Sequence, residues 1–165
     1  MYGIDVVIIS AAAAAVFWGI VSLYLQIRWR VYDLFVSKKR GIWAHGALMV
    51  LTTLQLVAFS AIDVKSGWVF PTFWLLGAPV LIASGWLFWQ AVREAGAGSI
   101  FNAAIFKHKH PKNKGPIWHK YKQPLYISYV GAYLGLGLTT GRIGFLLTAL
   151  VLAVGLGLLT YLTGE

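Results

Sequence analysis

Residues 112–138 read KNKGPIWHKYKQPLYISYVGAYLGLGL: a basic, aromatic-rich loop closes on a Pro-x-Tyr step and continues into an apolar helix spaced with glycines. Such a passage places cationic and aromatic groups at the mouth of an apolar helix bundle. The polar mouth can hold a water-soluble ligand while the bundle admits an apolar one.

Outward from this stretch, composition sets the class. Of the 165 residues 59% are apolar and 12% charged, and the mean hydropathy is +0.72, so a water-soluble domain would lack the polar surface it needs. The pattern predicts an all-α integral membrane protein. At ~20 residues per span there is room for a bundle of about five transmembrane helices and short loops, with no large soluble domain. The chain has no cysteine, which excludes disulfides, thiolate metal sites and cysteine nucleophiles.

The spans follow from the apolar runs. Span one is Val6 to Ile27, too long for the apolar core of a cleaved signal peptide and without its basic start, hence a retained anchor. Span two is Ile42 to Ile62 and carries His45, Thr52, Thr53 and Gln55. After a polar turn at Asp63 to Trp68, span three runs from Pro71 to about Val92, with Pro79 and Gly85 as expected kinks. Arg93 to Lys122 is the one long polar stretch, with a less polar middle, Ser99 to Phe106, suited to an interface. Span four, Leu125 to Thr139, turns at Thr140-Gly141-Arg142 into span five, Gly144 to Thr163. Residues 1–165 thus form a single transmembrane domain: three N-terminal spans over 1–92, then a loop and a helical hairpin over 93–165.

Fifteen residues of helix cover roughly 22 Å, short of the ~30 Å hydrocarbon core, so span four is expected to start below the interface, shielded by its neighbours. Gly131, Gly135 and Gly137 on span four, with Gly144, Gly155 and Gly157 on span five, predict a close hairpin of these two helices.

Twelve of the fourteen basic residues fall on one side of this layout, and only Lys65 and Arg142 on the other. The positive-inside rule then sets the N-terminus outside, and the long loop and C-terminus in the cytoplasm, as in a prokaryotic inner membrane. The net charge of +9 is accounted for by topology and by contact with anionic headgroups, so nucleic acid is not an expected partner.

Familiar catalytic constellations are absent from the sequence. Haem would need two histidines facing each other inside the bundle, and only His45 lies in a span. His108 and His110, two apart among lysines, lack a carboxylate or thiolate close by in sequence, and His119 stands alone, so no metal site is expected. No Ser-His-Asp order, HExxH, Walker loop or dinucleotide loop occurs, and Gly135-Leu136-Gly137 by itself is weak.

Gly115-Pro116, several aromatic and basic residues, and then Lys122-Gln123-Pro124-Leu125-Tyr126 resemble the Gly-Pro-Tyr…Arg-His-Pro-x-Tyr signature of the isoprenylcysteine carboxyl methyltransferase and phospholipid methyltransferase superfamily. The resemblance covers Ala91 to Glu165. It departs from the pattern at Lys122, where the family has arginine, at Gln123, where it has histidine, and at Ser128, where glycine is common. The stretch between Gly-Pro and the later proline is one residue longer than usual. Of an acidic pair expected about 40 residues after that proline, one-and-a-half spans on, only Glu165 is present, behind Gly164.

The resemblance implies an S-adenosylmethionine-dependent methyltransferase acting on a lipophilic acceptor at the cytoplasmic membrane face. It implies that Lys122, Gln123, Pro124 and Tyr126 line the cofactor pocket, that Glu165 holds a polar group of the cofactor, and that the acceptor enters sideways from the bilayer. Isoprenylated cysteine, a phospholipid amine and a small thiol or isoprenoid all remain open as acceptor. Methyl transfer from a sulfonium asks the protein mainly to position donor and acceptor and to exclude water, which suits a chain without classical catalytic residues. Each residue also has a plainer reading: Lys122 as a snorkelling anchor, Pro124 as a helix N1 proline, Tyr126 as an aromatic-belt residue, Glu165 as a frayed end. The alternative is a non-catalytic subunit or degenerate family member packed against a membrane-protein partner. A transporter ranks last, because the spans carry almost no charge.

Overall fold

The computed structural model describes residues 19–31, 43, 46–47, 50–51, 53–54, 57–58, 73–96, 115–121 and 123–163, and every regular element among them is helical. A helical stretch covers 19–29, and the described positions between 43 and 58 are also helical. Four further helices follow: α1 (Phe73–Ala95), α2 (Pro116–Lys120), α3 (Pro124–Thr140) and α4 (Ile143–Thr163). The helices expected at spans three, four and five are thus present, with ends matched to within a few residues. Spans one and two are described only in part, and the Asp63 to Trp68 turn and the Ser99 to Phe106 segment lie outside the described residues.

Among the described residues two helices are long and apolar enough to cross a membrane: α1 over Trp74–Ala95 and α4 over Ile143–Leu162. Only 22% of each is buried within the protein, whereas the core helix of a water-soluble domain would be mostly covered. Leu75, Ile82, Trp86 and Trp89 on α1, and Leu150, Val154, Leu158 and Tyr161 on α4, are all exposed. α1 continues unbroken through Pro79 and Gly85, both of which lie on its exposed side. With 17 residues, α3 spans about 25 Å, and it packs against α1 on one side and α4 on the other.

The α1–α3 contact is close because glycines alternate across it. A Cβ on Gly77 would lie 2.6 Å from the Thr139 backbone nitrogen, and one on Gly135 would lie 2.9 Å from that of Leu81. Gly131 abuts the Ser84 hydroxyl, and the Phe88 and Tyr129 rings meet at 5.9 Å. Partners fall along α3 as they rise along α1, so the two helices are antiparallel. On the other side of α3, Gly137 meets Leu146, and Tyr133, Phe145 and Ala149 form a small core that Ile20 joins from the stretch 19–29. The glycines therefore do not all serve the α3–α4 hairpin as expected: Gly131 and Gly135 face α1, Gly137 faces α4, and Gly155 faces Ile20. Residues one turn apart share a face, whereas Gly137, two positions past Gly135, lies roughly 200° around the helix.

Hydroxyls inside these helices bond to their own backbone. Ser128 donates to the Leu125 carbonyl at 2.7 Å, Thr139 to Gly135 at 2.7 Å, and Thr148 to Gly144 at 2.8 Å. These three hydroxyls are thereby satisfied without water. α1 and α3 end on left-handed glycines, Gly96 (φ 83°) and Gly141 (φ 67°), whose N–H groups donate to Val92 and Gly137.

Candidate functional site

The antiparallel register brings the C-terminus of α1 to the N-terminus of α3. Gly77, Leu81, Ser84 and Phe88 of α1 meet α3, at steps of four, three and four, and Ala91 and Glu94 follow toward the C-terminal end of α1. Glu94 is half-buried there, whereas Arg93 beside it is exposed.

α2 docks on this end of α1 through two hydrogen bonds. The Ile117 N–H donates to the Glu94 carboxylate, at 3.1 Å to one oxygen and 3.5 Å to the other. The indole N–H of Trp118 donates to the Ala91 carbonyl at 3.1 Å. The local sequence requires an acceptor of this kind. Gly115, the N-cap, has no side chain to offer, and Pro116 at N1 has no N–H, so Ile117 carries the first donor left without an intrahelical partner. A Cβ at position 115 would collide with the Glu94 carboxyl group. Gly115-Pro116 is thus the pair that lets this loop close onto α1.

The chain leaves α2 through an extended Tyr121, with Lys120 Nζ 5.5 Å from the centre of the Tyr121 ring. Gln123 is the N-cap of α3, and Pro124 is its buried first residue. Leu125 is 4% and Ser128 2% exposed. The start of α3 is sunk among its neighbours, as its short length led us to expect. Tyr126 is half-buried one position from the solvent-exposed Ile127. Because α4 returns antiparallel from the Gly141 turn, its C-terminal end comes back toward the start of α3.

Of the five residues expected in the site, Gln123, Pro124 and Tyr126 stand together at this junction, whereas Lys122 and Glu165 lie outside the described residues. Glu94 was missed, although the sequence held a signal for it: it is the only acidic residue between positions 64 and 164, at the edge of a strongly basic loop. Among the described residues no group of His, Asp or Glu is placed to hold a metal ion. His119 is exposed, and His45, His108 and His110 lie outside the described residues. The chain matches no family model, and comparison with curated proteins and with solved structures finds no match.

Proposed function

We propose that the chain is a five-span integral membrane protein, N-terminus outside, whose cytoplasmic end binds S-adenosylmethionine and methylates a lipophilic acceptor. The reading is carried by one observation: Gly115-Pro116 and Pro124-x-Tyr126, separate in sequence, are folded to the same end of the α1–α3 pair. The exposed apolar faces of α1 and α4 support the membrane setting.

The groups at this end suit a zwitterionic nucleoside. Trp118, Tyr121 and Tyr126 offer aromatic faces for a base, and Gln123 offers amide donors and acceptors; outside the described residues, the sequence adds Lys122 as a cation for a carboxylate and Glu165 as an acceptor for an ammonium or ribose hydroxyl. S-adenosylmethionine, when bound, supplies a methyl carbon activated by its sulfonium. The residues of the chain would bind and orient the two partners, and the apolar start of α3 would exclude water. Lysine is a point charge without arginine's fork, and glutamine does not titrate, so cofactor binding is better supported than fast turnover.

A second reading, a non-catalytic subunit, is favoured by a different observation. The docking on Glu94 fully accounts for Gly115 and Pro116, and Leu75, Ile82, Trp86 and Trp89 form an exposed stripe along α1 that a partner helix can cover. One experiment separates the two. Membrane vesicles containing the protein are incubated with donor tritiated on its methyl group, which does not cross the bilayer. Label should pass into solvent-extractable lipid from inside-out vesicles and not from right-side-out ones. Absence of transfer in both favours the subunit, and transfer only in right-side-out vesicles contradicts the topology.

A further inference from the structure

We infer that Glu94 is a positioning residue, whose carboxylate holds α2 against the C-terminal end of α1, the helix that packs on α3, and so fixes the Gly-Pro half of the site relative to the Pro-x-Tyr half. The inference rests on the methyltransferase reading for its functional consequence, but the clamp itself stands on geometry. Three observations converge on it. Glu94 stands in the last turn of α1, the helix that packs on α3, so a segment bonded to it is held at that end of the pair. Among the described residues its acceptor role does not pass to a neighbour, because Gly115 has no side chain and the Gly115 carbonyl already receives the N–H groups of Trp118 and His119, at 3.0 and 3.3 Å. The space at position 115 matches the carboxyl group so closely that a single methyl there would displace it.

The bond from the Trp118 indole to Ala91, three residues before Glu94 on the same face, fixes the orientation of the segment about the Glu94 contact. With two anchors the segment has one seat. With Glu94 removed, one anchor and an unpaired backbone donor remain.

The test combines hydrogen exchange across 115–121 with titration of S-adenosylhomocysteine, on the full chain in nanodiscs. Glu94→Ala should speed exchange in that segment and weaken ligand affinity by about tenfold, the scale of one lost hydrogen bond. Glu94→Gln keeps a carbonyl acceptor of the same length and should restore both. Gly115→Ala should mimic Glu94→Ala, and the double variant should exchange no faster than either single one, because both break the same contact. Unchanged exchange in Glu94→Ala overturns the clamp. Faster exchange with undiminished affinity overturns its role in the site. Faster exchange in a protein whose unaltered form binds no S-adenosylhomocysteine leaves the clamp standing and overturns the methyltransferase reading instead.

Discussion

A glycine in this bundle matters according to what would lie under its Cβ. At Gly135 that atom would sit 2.9 Å from the Leu81 backbone nitrogen, and backbone yields only if the helices separate. At Gly131 the obstacle is the Ser84 hydroxyl, a side-chain atom that can rotate away. Gly135→Ala should therefore destabilise the fold by about 1–3 kcal/mol, the usual cost of overpacking, and Gly131→Ala by less than about 1 kcal/mol. Thermal unfolding in detergent would rank them, and equal losses would contradict the α1–α3 packing. The sequence marked both glycines as contact residues, but it assigned them to the wrong neighbour. Spacing reveals which residues share a face and says nothing of which helix that face meets.

Helix boundaries were the most legible level. Pro124 at N1 and Gly141 after the last turn bracket α3 by the chemistry of its ends, and structure and sequence agree there to one residue. Gly141 at φ 67° also makes the turn into α4. Gly141→Ala should cost about 1–2 kcal/mol, the penalty of a Cβ in the left-handed region, and should loosen the α3–α4 hairpin while sparing the α1–α3 contact. Cross-linking between cysteines introduced in each helix pair would read the two separately, and equal loosening of both pairs would contradict the packing. α2 was not legible. Gly-Pro announces a helix start, but five residues carry no periodicity, and the carboxylate that completes the start lies 23 positions earlier in the chain. Contacts set by tertiary folding leave no local pattern to read.

At the scale of the whole molecule, composition indicated helices and membrane, and the described residues supply two helices long and apolar enough to span a bilayer, with apolar faces left uncovered. The junction at one end gathers Glu94, Gly115, Trp118, Gln123, Pro124 and Tyr126. In the sequence Gln123, Pro124 and Tyr126 could be singled out only through resemblance to a motif, because none is a strong catalytic type, whereas Glu94 carried its own signal as a lone acid beside a basic loop. The account stands on that junction binding a nucleoside-type methyl donor. Calorimetric titration of S-adenosylhomocysteine into the purified protein in nanodiscs tests it most directly, with Tyr126→Ala and Glu165→Ala alongside. The account predicts saturable binding to the unaltered protein, weakened about tenfold or more in each variant, the scale of one lost polar or aromatic contact, with unfolding temperatures unchanged. No heat of binding at millimolar ligand, or equal affinity in all three proteins, would contradict it.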